Sequence, residues 1–307
     1  MLLKPFSKNE TFYRGNLHGH SKHSDGKLTS REVVERYKSL GYDFTCLSDH
    51  LWEKTYFSST TVNDTSNLNT KDFITLISAE IHCPGKKYSK DGLWHFVANG
   101  LPKKFKKSDQ KESGPDLVKR AISAGAFVSI AHPEWYSLTS EEALSVSHAH
   151  AVEIYNHGST IKSARGNGIF IADILLQEGK KINLTATDDS HFKVSDYGGG
   201  WVMVASKKLD EKSIIRALID GNYYSSTGIN IDKIWIDKSI IHIKSSPANY
   251  ITISGKGYSS KTIEGNNITY AKFDLSTFNS EWFRITISNL NGKKAWSNPY
   301  FKSDLIT

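Results

Sequence analysis

Apolar and polar positions follow two different patterns along the chain, and these divide it into two parts. Through residue 228, short apolar runs that predict strands are separated by segments with apolar residues at helical spacing. The predicted strands are residues 44–48, 73–79, 95–99, 127–131, 152–155, 182–187 and 201–205. Strands that alternate with helices are typical of a parallel sheet covered by helices, so residues 1–228 are predicted to form an α/β domain.

Residue types at the segment ends support four helices. Thr29 and Glu32 have the spacing of a capping box, and Gly41 follows the apolar positions as a stop signal. Pro115 suits a first helical turn, where its missing N–H is not needed. The predicted helices are residues 29–41, 115–125, 171–178 and 210–220.

From residue 229 to residue 307, apolar positions alternate with polar ones and the helix signals disappear. Pairs such as Ile241/Ile243 and Ile285/Ile287 show this period of two, which is the period of a strand with one buried face. Asn291-Gly292 is a strong hairpin signal between two such strands. Residues 229–307 are therefore predicted to be a small antiparallel β module, and they carry no cluster of candidate ligands.

Composition narrows the class of protein. The 307 residues include 39 Lys and Arg against 32 Asp and Glu, and the net charge of +7 suits a small anionic, phosphorylated substrate. The sequence has no basic stripe with interleaved aromatic residues, so a nucleic-acid partner is not favoured. Two cysteines are too few for a disulfide framework, and no run forms a signal peptide or a membrane span. We therefore expect a cytoplasmic protein without a membrane partner; the sequence predicts no oligomeric state.

Histidine and acidic residues recur where the predicted strands end. His18 and His20 would share one face of an extended segment, and the turn Ser24-Asp25-Gly26 would bring a carboxylate back towards them. The ends of parallel strands meet at one rim, where α/β barrels carry their chemistry. The candidate ligands are His18, His20, Asp25, His50, Glu80, His95, His132, Asp189 and His191.

This mixture of imidazoles and carboxylates favours Zn²⁺, Mn²⁺ or Fe²⁺ over Ca²⁺ or Mg²⁺. Nine ligands are too many for one ion and fit two or three, with Glu80 as the natural bridge. Such ions would lower the pKa of a bound water and offset the charge of a phosphate group. Some of the histidines, His95 above all, could instead be core residues bonded to the backbone.

Six motifs, in their order along the chain, resemble those of the polymerase and histidinol phosphatase (PHP) superfamily. They are HGHSKHSDG at 18–26, LSDH at 47–50, SAE at 78–80, HFVANG at 95–100, AHP at 131–133 and TDDSH at 187–191. Later stretches look like the CehA/McbA-type metallohydrolase branch, namely GGGWVMV at 198–204, GNYYSSTG at 221–228 and KAWSNPYF at 294–301. The resemblance covers nearly the whole chain, and the ordered set of motifs is specific.

The resemblance implies a distorted seven-stranded (β/α) barrel with an appended β module and a site for up to three metals. When the superfamily's ligands are assigned to the matching motif positions of this chain, three sets result. They are His18, His20, Glu80 and Asp189 for one ion, Asp25, His50 and His191 for a second, and Glu80, His95 and His132 for a third. His82 is treated as an incidental neighbour, and Asp25 is preferred to His23 as a ligand. The residues expected to orient the ligating imidazoles are Asp49, Asp188 and Asn156.

The leading hypothesis is a metal-dependent phosphoesterase in which a metal-bound hydroxide attacks phosphorus. The residues assigned to catalysis are Asp25, Glu80, Asp189, His157 and Arg165. Arg165 would hold a phosphate oxygen, or would simply be a solvent-facing loop charge. His157 would protonate the leaving group, or would only line the mouth of the site. The alternatives are a carbamate or ester hydrolase with the same metals and a non-catalytic metal-binding regulatory module.

Overall fold

The computed structural model describes residues 1–7 and 10–305, which form sixteen strands and six α-helices. The strands are β1 (Thr11–Asn16), β2 (Phe44–Leu47), β3 (His50–Leu51), β4 (Ile74–Pro84), β5 (Leu93–Asn99), β6 (Phe127–Ile130), β7 (Ala151–Asn156), β8 (Asn183–Thr187), β9 (Trp201–Ser206), β10 (Tyr223–Ser226), β11 (Ile231–Asp237), β12 (Ile240–Gly255), β13 (Ser260–Asp274), β14 (Trp282–Ser288), β15 (Lys294–Ser297) and β16 (Tyr300–Phe301). The helices are α1 (Ser30–Ser39), α2 (Gly114–Ser123), α3 (Ser140–Ser145), α4 (His157–Ser163), α5 (Ile169–Gln177) and α6 (Glu211–Ile219).

The four predicted helices are confirmed as α1, α2, α5 and α6. At α1 the predicted capping box is present, because the Glu32 N–H donates to Thr29 Oγ1 at 3.3 Å and the Thr29 N–H donates to the Glu32 carboxylate at 2.7 Å. Helices α3 and α4 span only six and seven residues, and the sequence does not predict them. Within the described residues, none of the helices combines the length and the apolar character that crossing a membrane requires.

The strands form one mixed sheet, with the path β11-β12-β14-β15-β10-β9-β1-β2-β4-β5-β6-β7-β8. Pairs β1–β2, β2–β4, β6–β7 and β7–β8 are parallel, whereas β4–β5, β5–β6 and β1–β9 are antiparallel. Strand β4 turns back into β5 within residues 85–92, and this connection is too short for the crossover that parallel pairing needs. The α/β class is confirmed, and the wholly parallel sheet is wrong.

Strands β8 and β1 lie at the two ends of the part of the sheet that would close a barrel. Between the loops that follow these strands, the Asp189 N–H donates to His18 O at 2.9 Å and the His20 N–H donates to Ser190 O at 2.8 Å. These two bonds and one bridge between Gly19 and Ser190 are not a ladder of paired strands. The closed seven-stranded barrel implied by the resemblance is therefore not confirmed, but the bonds hold two ligand-bearing loops together.

The chain beyond residue 228 has the predicted period of two. Its buried side chains form a cluster that includes Ile234, Ile241, Ile243, Ile251, Ile253, Phe283, Ile285 and Ile287. The hairpin predicted at Asn291-Gly292 joins β14 to β15, with a loop of five residues between the two strands. Strand β15 also pairs with β10, and Arg284 donates two hydrogen bonds of 2.8 and 2.7 Å to Asp173 on α5. The β module is thus bonded to the rest of the chain, and a domain boundary at 228/229 stays a prediction.

Candidate metal centre

The segment after β1 carries two predicted ligands into the interior. His18 and His20 are fully buried and flank Gly19, which pairs with Ser190. A Cβ on Gly19 would lie 2.7 Å from the Ser190 hydroxyl oxygen, so this close approach of the two loops needs glycine. The Nε2 atoms of both histidines face the same carboxylate oxygen, Asp189 Oδ1, at 3.3 and 3.1 Å.

Asp49 holds the turn that follows. Its carboxylate accepts hydrogen bonds from the Ser21 N–H at 2.7 Å, the Ser21 hydroxyl at 2.8 Å and the Ser24 hydroxyl at 2.7 Å. Asp49 therefore orients the turn that presents Asp25, and the expectation that it orients an imidazole is wrong. Asp25 Oδ1 lies 3.3 Å from His191 Nε2 as a result of this turn.

Glu80 lies at the centre of the site, fully buried on β4. Its Oε1 atom lies 2.7 Å from His95 Nδ1 and 3.1 Å from His132 Nε2. Its Oε2 atom lies 2.9 Å from His50 Nδ1 and 3.4 Å from His18 Nε2. The two oxygens thus face different imidazoles, as the oxygens of a bridging carboxylate would.

All nine predicted ligands belong to overlapping groups whose ligand atoms lie within 4.8 Å of one another. The groups are His20, Asp25, His50 and His191 (the Asp25 group); His18, His20 and Glu80; His18, His132 and Asp189; His50, Glu80 and His82; and Glu80, His95 and His132 (the His95 group). They differ from the three sets implied by the resemblance in three ways. His20 also joins the Asp25 group, His82 joins His50 and Glu80, and Asp189 is grouped with His18 and His132 rather than with His18, His20 and Glu80. The structure therefore brings together every residue that the sequence proposes as a ligand.

Carboxylates and imidazoles in the site shift each other's pKa values. Burial would raise the pKa of Glu80, but the imidazoles of His50, His95 and His18 hold it well below its usual value. Burial would lower the pKa of His95, but the carboxylates of Glu80 and Asp91 raise it to about 9. Glu80 is therefore ionised at neutral pH, and a divalent cation could replace the protons that balance it.

Several buried atoms test whether a metal fits. Buried polar atoms are normally hydrogen-bonded, so buried atoms that form no hydrogen bond, even where another ligand atom lies close to them, indicate a place for a ligand. Six such atoms among the described residues belong to predicted ligands: His18 Nε2, His20 Nδ1, Asp25 Oδ1, Glu80 Oε2, His95 Nε2 and His132 Nδ1. This mixed nitrogen and oxygen donor set fits divalent transition-metal ions.

Two of the ligands have left-handed backbone conformations. The φ angle is 20° at His132 and 52° at Asp189, values that residues other than glycine rarely adopt. Backbone strain of this kind costs about 1–3 kcal/mol and is typical of functional sites. Hydrogen bonds hold both residues in place, since the His132 N–H donates to Glu153 Oε2 at 2.8 Å and Asn156 Nδ2 donates to Asp189 Oδ2 at 3.3 Å.

Glu153, which the sequence analysis does not single out, supports the site from behind. This fully buried carboxylate on β7 accepts a hydrogen bond from His18 Nδ1 at 2.7 Å through Oε1. Through Oε2 it accepts from the His132 N–H at 2.8 Å and from Asn156 Nδ2 at 3.0 Å. Glu153 could have been identified from the sequence, because it is an acidic residue inside the apolar run at 152–155 and a buried charge must be compensated by a partner.

The other two residues expected to orient imidazoles have different partners. Asp188 accepts hydrogen bonds from the N–H groups of residues 198–200 at 2.7, 2.8 and 2.9 Å, so it anchors that glycine loop. Asn156 donates to carboxylate oxygens of Glu153 and Asp189. Asn156 therefore orients carboxylates rather than imidazoles, and the expectation is wrong for both residues.

Two further histidines, His82 just after the SAE motif and His23 inside the first motif, have opposite placements. His82 follows Glu80 by two residues on β4 and lies on the same face, with its Nε2 atom 2.9 Å from His50 Nδ1. The spacing of two residues between Glu80 and His82 in a predicted strand was the sequence signal that His82 would lie beside the other ligands. His23 points elsewhere, with Nε2 2.8 Å from Thr61 O, and belongs to none of the groups in the described residues.

His157 and Arg165, the two predicted catalytic residues that are not ligands, lie in and just after α4. His157 Nδ1 is 2.9 Å from the Tyr155 hydroxyl, and the half-buried ring packs against Gly199. Arg165 is exposed, and no side chain of the described residues forms an ion pair with it. The structure places neither residue in a ligand group of the described chain.

Comparison with known proteins adds a likeness of fold. No protein-family model and no curated protein matches the sequence. The structure is similar to that of a two-domain protein from Bacteroides vulgatus that contains a predicted PHP-like metal-dependent phosphoesterase. The likeness covers 97% of this chain and 98% of that chain, with a TM-score of 0.54 and 16% sequence identity. This chain has the PHP-like fold.

Two other structures match smaller parts of this chain. One is an amidohydrolase from Chromobacterium violaceum with bound sulfate and no metal, with a TM-score of 0.45 and 15% identity over 59% of this chain and 89% of that one. The other is a protein from Bifidobacterium adolescentis thought to be a metal-dependent phosphoesterase, with a TM-score of 0.40 and 16% identity over 58% of this chain and 88% of that one. Both likenesses are too weak to add to the argument, and the CehA/McbA branch stays a prediction.

Proposed function

We propose that this PHP-like chain is a metal-dependent hydrolase that cleaves phosphoesters. The observation that carries the proposal is the buried Glu80 carboxylate, whose two oxygens face separate imidazoles at 2.7–3.4 Å. A carboxylate in this position can hold two ions close together, an arrangement used by many enzymes that act on phosphoesters. The likeness to a protein with a PHP-like phosphoesterase domain supports the proposal through the fold alone.

Two or three divalent ions, Zn²⁺, Mn²⁺ or Fe²⁺, would be held by the ligand groups. When bound, such ions activate water as a nucleophile and offset the charge of a phosphate group. The proposed ligand sets are His18, His20 and Glu80, with Asp189 beside the two histidines; Asp25, His50 and His191, with His20 beside them; and Glu80, His95 and His132. His82, through its contact with His50, is the residue to be added if the second ion has a further ligand.

The charge of the site favours an anionic substrate. Five carboxylates contact the ligand imidazoles, namely Asp25, Glu80, Asp91, Glu153 and Asp189. Three divalent ions would exceed these five negative charges, so the loaded site would attract a small phosphorylated molecule. Asp25, Glu80 and Asp189 would contribute to catalysis by fixing the positions of the ions, because each presents an oxygen to more than one imidazole.

His157 and Arg165 enter the proposal on different grounds. The contact of His157 Nδ1 with the Tyr155 hydroxyl orients the ring, and Nε2 could protonate a leaving group. The role of Arg165 as a phosphate clamp rests on the sequence alone. Arg165→Ala tests it: a loss of kcat/KM for a phosphoester but not for a neutral aryl ester supports the clamp, and an equal loss for both removes it.

The proposed function is tested by screening phosphomonoesters, phosphodiesters and neutral aryl esters with protein supplied with Mn²⁺, Zn²⁺ or Fe²⁺. Hydrolysis of a phosphoester that is lost in Glu80→Gln and retained in His23→Gln would support it. His23 is the matched control, because it lies in the same loop as the ligands and bonds to Thr61 O instead. Hydrolysis of aryl esters alone would favour the carbamate or ester alternative, and metal binding without turnover would favour a regulatory module.

A further inference from the structure

One face of the β module presents aromatic and basic side chains from three neighbouring strands, β11, β12 and β13. On the opposite face of these strands, Ile234, Ile243 and Ala271 are paired with one another and buried in the core of the module. Side chains alternate between the two faces of a strand, so the residues on either side of these three point away from that core. Six of them form what we call the outer face: Lys233, Trp235, His242, Lys244, Tyr270 and Lys272.

The strand register arranges the six side chains of the outer face in two rows of three. In the strand order β11-β12-β13, the rows are Lys233–Lys244–Tyr270 and Trp235–His242–Lys272. Neighbouring strands lie about 4.8 Å apart, and residues two positions apart on one strand are separated by about 6.8 Å. The outer face is therefore one compact area that holds three rings and three lysines.

The three rings of the outer face contact one another. The rings of Trp235 and His242 are stacked, with centroids 4.7 Å apart and an interplanar angle of 6°. The Tyr270 ring lies 6.0 Å from that of His242, and the Tyr270 hydroxyl oxygen lies 2.6 Å from His242 Nδ1. These contacts orient Tyr270 although it is 42% exposed, so its ring offers a planar surface to a molecule that approaches from solvent.

The three lysines of the outer face are exposed, and none of them forms an ion pair with another of the described residues. Other exposed lysines, such as Lys103 and Lys181, pair with carboxylates instead. Lys233 Nζ lies 5.4 Å from the centroid of the Trp235 ring, so charge and aromatic surface are adjacent. Each ammonium group of the outer face has three donors and can bind an anionic group beside the rings.

Carboxylates limit the outer face at one end. The next row along the strands pairs Asp237 with Ile240 and Ile240 with Asp274. Asp232 lies in the bulge before Lys233, outside both rows. A polyanion would therefore lie over the two rows that carry the lysines and would avoid the row that carries the acids.

The edge of β11 is occupied by the backbone of residues 1–3. The Leu3 N–H donates to Ile234 O at 3.0 Å, and the Ile236 N–H donates to Met1 O at 2.8 Å. A partner that binds beside β11 is therefore recognised by the side chains of the outer face rather than by addition of a strand to this edge.

We propose that the outer face binds single-stranded nucleic acid, with bases stacked on the aromatic rings and phosphates beside the lysines. Proteins bind single strands without sequence preference by this combination, because every base has a planar face and every nucleotide carries a charge. The two rows hold no carboxylate or amide side chain that would accept hydrogen bonds from the hydroxyl groups of a neutral sugar. The outer face contains no predicted metal ligand, so this inference does not depend on the proposed function.

The sequence does not favour nucleic acid because no single stretch interleaves basic and aromatic residues in this way. The six residues come from three segments between residues 233 and 272, and only the register of the strands brings them together.

Binding is measured with the whole chain by the fluorescence anisotropy of a labelled oligothymidylate of about 20 nucleotides. Tyr270→Ala should weaken binding by about tenfold, the contribution of one stacked base, and Tyr270→Phe should restore most of the loss. Tyr258→Ala is the matched control, because Tyr258 is fully exposed in the same module but lies outside the outer face. Double-stranded DNA of the same length should bind at least about tenfold more weakly, since its paired bases are not free to stack.

The salt dependence of binding tests the lysines. Replacing all three lysines of the outer face by glutamine should weaken binding by about tenfold or more. It should also reduce the slope of log Kd against log salt concentration by about 2, since each phosphate contact of a single strand contributes about 0.7. The control variant removes the same charge from exposed lysines elsewhere and should change the slope by less than about 1: Lys38→Gln/Lys180→Gln/Lys207→Gln.

Three results would overturn the inference. The first is an oligothymidylate affinity that is absent or unchanged in the outer-face variants. The second is tighter binding of heparin that Tyr270→Ala does not weaken, which would indicate a site for acidic polysaccharide. The third is binding that is lost in Glu80→Gln but retained in the outer-face variants, which would place the oligonucleotide at the metal centre.

Discussion

His18 Nδ1 lies 2.7 Å from Glu153 Oε1, and both side chains are fully buried. Burial would raise the pKa of Glu153, but the His18 imidazole outweighs it and lowers that pKa below its usual value. An ionised carboxylate only accepts, so His18 Nδ1 carries the proton of this hydrogen bond, and Nε2 is the ring nitrogen that faces Glu80 and Asp189. Glu153 therefore prepares His18 to bind a cation.

Removing Glu153 should weaken metal binding without removing any ligand. We expect Glu153→Ala to lower metal affinity by about 10- to 100-fold, because partners that orient ligating imidazoles typically contribute this much. Glu153→Gln should lose less, since the amide oxygen still accepts from His18. Competition with a chromophoric chelator measures the affinity, and Glu35→Ala, an exposed acid on α1, is the control. An affinity within about twofold of the unsubstituted protein would show that Glu153 only fills the core.

Glu80→Gln and Asp189→Asn should each lower turnover by at least about a hundredfold while the fold stays intact, because groups that hold catalytic metals contribute several kcal/mol of transition-state stabilisation. Circular dichroism checks the fold, and metal analysis of each variant separates lost ions from misplaced ones. Near-normal rates with unchanged metal content would mean that the reaction takes place elsewhere.

Metal binding should release protons near neutral pH. Burial would lower the pKa of His95, but Glu80 and Asp91 raise it to about 9, so the imidazole is protonated at pH 7. A metal needs the neutral imidazole, so apparent affinity should rise with pH up to about 9, by up to about tenfold per pH unit for each proton released. Calorimetry in two buffers of different ionisation enthalpy counts the protons. Asp91→Asn should reduce the release, and no release at pH 7 would contradict the assigned charge state.

Arg284 should stabilise the attachment of the β module. Its side chain is 8% exposed and donates two hydrogen bonds to Asp173 on α5, so Arg284→Ala leaves a partly buried carboxylate without its cation. We expect a loss of about 1–3 kcal/mol in the free energy of unfolding, measured by urea denaturation. Arg216→Ala is the control: Arg216 pairs with Asp220 at 2.9 Å but is 74% exposed, and this pair should contribute about 0–1 kcal/mol. Equal losses in both variants would mean that burial of the Arg284–Asp173 pair adds nothing to the free energy of unfolding.

The ligands were predictable from sequence because their placement depends on local rules. His18 and His20 share a face through the period of an extended segment, and the turn at 24–26 returns Asp25 to the same place. Glu80 and His132 come at or just beyond apolar runs that could be recognised as strands. The helix ends at Thr29 and Gly41 followed from equally local signals.

The features of the fold and the site that could not be predicted depend on contacts between residues far apart in sequence. The direction of β5 follows from a turn at 85–92 that resembles any polar loop, and barrel closure depends on how two distant loops meet at Gly19 and Ser190. The sequence marks Glu153 as a buried acid, but only the position of β7 behind His18 shows that His18 is its partner. Lys162 and Lys193, whose Nζ atoms lie 3.4 Å from His191 Nδ1 and 2.9 Å from Asp25 Oδ2, could not be distinguished in the sequence from other surface lysines.

The metal content of the protein tests the central claim most directly. Protein purified without chelator and analysed for transition metals should contain two or three ions per chain, because the ligand groups around Glu80 offer donors for that number. Glu80→Gln should lower this content, and His23→Gln should not. Less than one equivalent per chain, even after supplementation with Zn²⁺, Mn²⁺ and Fe²⁺, would contradict the account.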